Sequence, residues 1–324
     1  MSKAIIVKET GGPEVMAFED RDPGQPGKGE ILVEQKAAGV NFIDVYFRTG
    51  LYKSETMPFV LGKEGAGVVA AVGEGVTLFK AGDRVAYNGI SGTYAEKIVI
   101  AADKAVLVPE GISLETAAAA MLKGMTAEYL LRRTYPVDSD TVLLFHAAAG
   151  GVGLIAGQWA KHLGATVIGT AGSKEKCDLA RKNGYDHVIN YREADFVEEV
   201  KKITGGRKCD VVYDSVGRDT FPGSLDCLRP RGLWATFGQS SGKLDPIDTA
   251  ILSQKGSLYV TRPTLFSYVA TRPELEASAR ALFDVIASGA VKITIGQTYP
   301  LADAQKAHRD LEGRKTTGAS ILTI

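Results

Sequence analysis

Residues 141–173 read T-V-L-L-F-H-A-A-A-G-G-V-G-L-I-A-G-Q-W-A-K-H-L-G-A-T-V-I-G-T-A-G-S. This stretch constrains the fold more than any other. Residues 142–145 are wholly apolar, the pattern of a strand buried on both faces. Ala148, Gly150 and Gly153 follow at the spacing of a dinucleotide fingerprint, with alanine in the first glycine's place. Residues 154–163 carry helical periodicity, Gly164 is a helix stop, and residues 165–170 form a second β-type run. Strand, glycine turn, helix and strand in this order predict a nucleotide-binding βαβ unit. The turn lets a pyrophosphate approach the backbone, and the helix start offers N–H groups and partial positive charge. The last glycine omits a side chain where helix and strand pack. A βαβ unit whose glycines serve only packing is the plainer alternative.

The end of the second strand reports which dinucleotide fits. An NAD site usually places Asp or Glu there, about 20 residues past the glycines. This chain has Thr170, Ala171, Gly172, Ser173, Lys174, Glu175 and Lys176. A hydroxyl and two lysines in place of an acid at the strand end favour a 2′-phosphate, hence NADPH. Glu175 keeps this a preference, and both lysines also suit a solvated helix start.

At 324 residues there is length for two domains. Lys plus Arg and Asp plus Glu are each 38, so the formal charge is zero. That balance argues against nucleic acid or an anionic membrane as partner. The 3 cysteines, Cys177, Cys209 and Cys227, form no close pair, which supports neither a disulfide framework nor a zinc cluster. The N-terminal segment reads as a strand without a signal-peptide core, and no apolar run spans a bilayer, so a cytoplasmic location is expected.

Residues 1–110 are rich in turns and strands: 4–7, 30–36, 65–72, a turn feeding 84–87, and 94–100. Two helices, 114–120 and 126–131, lead to the glycine unit. Helices at 174–182, 195–204 and 220–228 then alternate with strands at 187–190, 210–214, 233–237 and 257–261, predicting a doubly wound parallel sheet. Helices at 273–288 and 301–311 and a strand at 320–324 return to the first domain.

Seven runs now resemble one family: 39–44 (G-V-N-F-I-D), 62–67 (G-K-E-G-A-G), 81–85 (A-G-D-R-V), 146–153 (H-A-A-A-G-G-V-G), 189–192 (I-N-Y-R), 212–217 (V-Y-D-S-V-G) and 255–263 (K-G-S-L-Y-V-T-R-P). Along its whole length the chain is similar to the medium-chain dehydrogenase/reductase superfamily. Within that superfamily it resembles the zinc-free NADPH:quinone oxidoreductases, zeta-crystallin among them. The resemblance implies an α/β fold: a Rossmann doubly wound parallel sheet plus a discontinuous, β-rich, GroES-like catalytic domain. The expected division is 1–122 and 268–324 for catalysis, and 123–267 for NADPH.

The zinc alcohol dehydrogenases of that superfamily have Cys where this chain has Asn41 and His where it has Lys63, and they carry a four-cysteine lobe near 88–93. An amide and an ammonium are poor zinc ligands, so no metal site is expected. Quinone reduction with an acceptor in the interdomain cleft would then rest on orientation and a few donors to the developing oxyanion. The catalytic candidates are Asn41, Tyr46, Tyr52, Lys123, Tyr129 and Arg262, each tyrosine being equally suited to packing. Cofactor contacts are expected from Asn41, Asp44 and Tyr129; from Gly150, Gly151 and Val152 at the pyrophosphate; and from Gly172, Ser173, Lys176 and Tyr191 around the 2′-phosphate. Val216, Ser240, Leu265, Phe266, Ser267, Lys315 and Thr317 complete that set. Asp44 also suits a cap for the Asn41 segment, His146 reads as structural, and Phe237 as packing. The strand 256–261 is expected to pair with a second subunit in a homodimer. Reduction of activated alkenes such as enones, and a non-catalytic nucleotide- or RNA-binding role, are the competing readings.

Overall fold

The computed structural model describes every residue, Met1–Ile324. Residues 1–125, 269–287 and 293–324 form one compact unit, and 126–268 with 288–292 form a second. Sequence alone gives 288–292 to the first domain. The structure places it in the second, where the Gln158 amide binds the Lys292 carbonyl (3.0 Å) and N–H (2.9 Å).

The first unit begins with β1 (Ser2–Val7), β2 (Met16–Arg21), β3 (Glu30–Val40) and a short helix α1 (Phe42–Arg48). Strands β4 (Phe59–Val60), β5 (Glu64–Val72), β6 (Arg84–Asn88), β7 (Lys97–Ala101) and β8 (Ala105–Leu107) follow. Helix α2 (Leu114–Tyr129) is continuous where the periodicity predicts two helices. The helix runs through Gly124, where a Cβ would collide with the Leu282 side chain, so this glycine serves packing.

The second unit alternates strictly after a π-helical turn at 130–134. Its elements are β9 (Val142–Phe145), α3 (Gly151–His162), β10 (Thr166–Ala171), α4 (Lys174–Arg181), β11 (His187–Asn190), α5 (Phe196–Ile203) and β12 (Cys209–Asp214). Then come α6 (Gly223–Asp226), β13 (Leu228–Thr236), α7 (Ala250–Gln254), β14 (Tyr259–Thr261) and α8 (Leu265–Tyr268). The helix expected over 220–228 shrinks to α6. The Asp214 carboxylate holds the N–H groups of Val216 and Gly217 and the Thr220 hydroxyl, fixing that stretch as a turn.

The strands of this unit form one parallel sheet in the order β11-β10-β9-β12-β13-β14. Chain order runs outward in both directions from the β9/β12 pair, which makes that pair the switch point where such sheets bind ligands. Trp159, Trp234 and Tyr213 are buried in this unit.

The chain returns to the first unit through α9 (Arg272–Ala287), β15 (Ile295–Pro300), α10 (Ala304–Glu312) and β16 (Ala319–Thr323). Strand β16 pairs with β3, extending a seven-stranded sheet, while β1, β2 and β4 form a separate three-stranded one. Apolar side chains of the early strands pack with Tyr299, Leu301 and Leu322 of the returning segment in one core. No helix is long and apolar enough to cross a membrane.

Candidate active site

The candidate nucleotide-binding residues lie at the switch point. Between β9 and α3 the chain turns at Ala147, whose φ of 56° is left-handed. The Gly150 N–H closes that turn on the Ala147 carbonyl at 2.9 Å. Helix α3 then starts at Gly151, so Gly151, Val152 and Gly153 lie in its first turn, where N–H groups lack intrahelical acceptors. A Cβ on Gly153 would strike the Ala147 and Ala148 carbonyls, so this position excludes any side chain. The Tyr185 ring packs against Gly157 of α3 and Gly169 of β10, and its hydroxyl donates to the Gly153 carbonyl at 2.7 Å. Tyr185 is a supporting residue that motif reading misses.

At the end of β10, Ser173 caps α4 by accepting the Lys176 N–H at 3.3 Å. The Glu175 carboxyl titrates below the usual range, held down by hydrogen bonds from its own backbone and from Ser173. Tyr191 reaches back so that its hydroxyl occupies the space a side chain on Gly172 would need. Gly172, Ser173, Lys176 and Tyr191 are therefore neighbours, as a phosphate pocket requires. The loops after β12 and β13 are tied by Ser240 N–H to Ser215 (3.1 Å) and Ser241 N–H to Val216 (3.0 Å), which brings Val216 beside Ser240.

Beneath these loops lies a buried polar network. Asp214 Oδ1 accepts N–H groups from Val216 (2.8 Å) and Gly217 (3.1 Å). Its Oδ2 accepts from Thr220 (2.7 Å), Ser224 (2.9 Å) and Trp234 Nε1 (3.2 Å). The Ser224 hydroxyl spends its proton on Asp214, so it accepts from His146 Nε2 at 3.0 Å, and Thr170 donates to His146 Nδ1 at 2.9 Å. His146 is thereby a neutral strut joining the ends of β9 and β10 to Asp214 at the end of β12. Burial holds its pKa below the usual value.

Other expected members are placed as follows. Tyr129 is buried and stacks on Tyr268 at 4.5 Å. Burial, with Tyr268, raises its phenol pKa, and nearby Arg262 opposes the rise. Leu265, Phe266 and Ser267 form α8, with Leu265 buried. Phe237 packs on Phe145.

In the first unit Asn41 precedes α1, and its N–H donates to Asp44 Oδ2 at 2.8 Å. One Asn41 amide N–H goes to Glu64 Oε2 at 2.8 Å. Lys123, expected as a free positive charge for the acceptor, is instead committed: it is buried and pairs with the same Glu64 oxygen at 2.8 Å. The reason is that Glu64 is itself fully buried and a buried carboxylate needs a counter-charge. Tyr46 and Tyr52 meet edge to face at 5.2 Å, Phe47 and Tyr52 at 5.8 Å, and the Lys63 ammonium sits over Phe47 at 4.3 Å. Burial lowers the Lys63 pKa, against the pull of Asp44 and Glu55. No group of three His, Cys, Asp or Glu side chains is arranged to hold a metal. Lys315 lies 3.9 Å from Asp310, where both line a cavity of about 370 Å³ with Lys306 and Tyr299, and Thr317 accepts from Gln297 at 3.4 Å.

The parallel sheet with its glycine turn, together with a separate β-rich unit, defines a nucleotide-dependent dehydrogenase or reductase fold. Comparison with known proteins agrees. The alcohol dehydrogenase GroES-like domain matches residues 27–110, and the zinc-binding dehydrogenase domain matches 151–282. The chain is 54% identical to quinone oxidoreductase 1 of Escherichia coli, over 99% of both chains. It is 44% identical to a 2-haloacrylate reductase from a Burkholderia species, again over 99% of both. The solved structure of the Escherichia coli quinone oxidoreductase complexed with NADPH superposes with a TM-score of 0.98 at 54% identity, covering 99% of this chain and 100% of that one. The chain belongs to the quinone oxidoreductase family of the medium-chain dehydrogenase/reductase superfamily.

Proposed function

We propose that this protein is an NADPH:quinone oxidoreductase that works without zinc. The observation that carries the reading is the set of residues at the end of β10. Ser173, Lys176 and Tyr191 gather around Gly172 there, and the acid that would select NAD is missing from the strand end. The residues fit the cofactor: Gly151, Val152 and Gly153 offer first-turn N–H groups to a pyrophosphate, and Gly153 lets the helix start close against the Ala147 and Ala148 carbonyls. When bound, the reduced nicotinamide supplies a hydride from its C4. The first unit holds and orients the acceptor. The second N–H of the Asn41 amide and the hydroxyls of Tyr46 and Tyr52 supply donors for the acceptor oxygen. A quinone is electron-poor enough that orientation replaces the Lewis acid. We also assign residues 1–125, 269–287 and 293–324 to catalysis and 126–268 with 288–292 to NADPH. The edge strand β14, with Tyr259 63% and Val260 46% exposed, is the face we assign to a homodimer.

Similarity to a 2-haloacrylate reductase favours a second reading, reduction of activated alkenes, which would need a proton donor near the substrate α-carbon. One assay separates the two. NADPH oxidation is followed with 1,4-benzoquinone, a larger naphthoquinone and an enone in parallel, with chelator present and NADH as control donor. Quinone turnover insensitive to chelator supports the proposal, and turnover of the enone alone replaces it with the second reading. Lys176→Ala is expected to weaken NADPH binding about tenfold while leaving NADH little changed, from loss of one charge-assisted phosphate contact. Equal loss for both nucleotides would remove Lys176 from the phosphate pocket.

A further inference from the structure

A guanidinium, an imidazole, a phenol and a carboxylate line up inside the first unit. Arg48 of α1 is buried and makes a two-pronged ion pair with Glu312 of α10 at 3.0 and 2.7 Å. Its NH1 also reaches His308 Nδ1 at 3.2 Å. Tyr94 lies 3.2 Å from His308 Nε2 and 3.0 Å from Asp44 Oδ2. A guanidinium only donates, so His308 Nδ1 is the acceptor and Nε2 carries the proton. That proton points to the Tyr94 oxygen, and the Tyr94 hydroxyl is left to donate to Asp44. The chain therefore has one direction, from Arg48 to Asp44.

Its end is incomplete. Asp44 is fully buried, and Oδ2 takes both donors, the Asn41 N–H and the Tyr94 hydroxyl. Oδ1 is buried with no hydrogen-bond partner. A buried polar atom without a partner is costly, and protonation of the carboxyl is one way to relieve it. The charged and titratable groups around Asp44 are Lys123 from α2, Glu64 from β5, Lys63 just before β5, Tyr94 before β7, and His308 and Arg48 behind Tyr94.

We propose that Asp44 is a positioning residue for acceptor reduction, and that the Arg48–His308–Tyr94 chain sets whether it is charged. Ionised Asp44 holds the Asn41 N–H by a charge-assisted bond and favours the Lys63 ammonium, which sits over Phe47. Protonated Asp44 weakens both holds, and they flank the aromatic pair Tyr46 and Tyr52. The inference rests on the quinone reading above and extends it. Burial pushes the Asp44 carboxyl up to about 7, against the Asn41 and Tyr94 hydrogen bonds and the Lys123 charge, while Glu64 adds to the rise. His308 is driven down to about 3 by burial and by Arg48, so it stays neutral and its proton stays on Nε2.

The test uses the full-length protein and two readouts. Infrared spectra without substrate follow the protonated carboxyl across about pH 5 to 9, and kcat/KM for 1,4-benzoquinone at saturating NADPH is measured over the same range. The wild type is expected to show a carboxyl band that titrates near 7 and an acid limb of kcat/KM at the same pH. Tyr94→Phe removes a donor to the charged form. It is expected to move band and limb upward together by about one pH unit, which is roughly tenfold in kcat/KM on the acid side. Asp44→Asn is expected to lose both, giving a pH-independent rate near the wild type's acid plateau. Thermal unfolding of each variant confirms that it folds, and if Asp44→Asn does not, Tyr94→Phe still decides. A titrating band with pH-independent turnover overturns the positioning role alone. Absence of the band overturns the proton on Asp44. A titrating band with no quinone turnover at any pH fails the quinone reading, and the reduction role falls with it.

Discussion

Each unit buries the same trio of chemical groups: a carboxylate, a hydroxyl and a neutral histidine in hydrogen-bonded series. In the second unit it is Asp214, Ser224 and His146, and in the first Asp44, Tyr94 and His308. The two carboxylates differ in the donors they receive. Asp214 has five, spread over both oxygens. Burial works against its charge, yet the Thr220 hydroxyl and the N–H groups of Gly217 and Val216 hold its pKa below the usual range. Asp44 has two donors on one oxygen, and burial wins. The count of donors, rather than depth, separates a permanent charge from a titrating one. A fully satisfied network fixes the ends of β9, β10 and β12, whereas an unsatisfied one leaves room for a change of state.

Breaking the satisfied network should cost most. Asp214→Asn puts an amide NH₂ among converging donors, and a loss of about 3–5 kcal/mol is expected in urea unfolding at neutral pH. The lowered Asp214 pKa contributes stability that is present above the unfolded carboxylate value and is lost as pH falls through the folded one. The mutational loss should thus be constant from about pH 6 to 9, and a change within 1 kcal/mol would mean that the donors are satisfied some other way.

The Asp44 network should respond with the opposite sign. Its carboxyl rises from 3.8 to about 7 on folding, so the folded state binds the proton more tightly. Its contribution is greatest below the unfolded value and is lost as pH rises to the folded one. Wild-type stability should therefore fall as pH climbs from about 4 to about 7 and then level off. Asp44→Asn should be the more stable protein at about pH 8, by up to roughly 4 kcal/mol, with the gap narrowing towards acid. A variant less stable than wild type at that pH would remove the contrast between the networks. Activity and stability of the wild type should then move in opposite directions through neutral pH.

The histidines should sharpen the comparison by a smaller margin. His146→Asn leaves Thr170 and Ser224 without their shared partner, and an increase of about fivefold to tenfold in the NADPH dissociation constant is expected. His308→Asn acts on the first unit and should leave NADPH binding unchanged while raising the apparent pKa of the kcat/KM limb by a few tenths. Titration calorimetry and the pH profile check the two.

Much of this was legible from residues alone. Alternation from 142 onward and the glycines at 150–153 lead directly to the parallel sheet, and 39–44 marks a segment distinct from its β-rich surroundings. The Asp44 network was hidden because the bonds of its Arg48, His308 and Tyr94 members join residues far apart in sequence. Arg48 meets Glu312, and Tyr94 meets His308, through folding that no local periodicity encodes. Lys123 misled because a lysine in sequence does not reveal its partner, Glu64, 59 positions away.

The C-terminal return also has a consequence for biosynthesis. Almost all of the second unit, residues 126–268, is contiguous, so its sheet has all six strands as soon as that stretch has been translated. The first unit waits for the chain's last stretch, since β3 lacks its β16 neighbour and Arg48 lacks Glu312 until the end. During translation the earliest 125 residues therefore hold an apolar core short of Tyr299, Leu301 and Leu322, with a cation destined for the interior still unpaired. The apolar core of residues 1–125 is thus completed only by the returning segment 293–324.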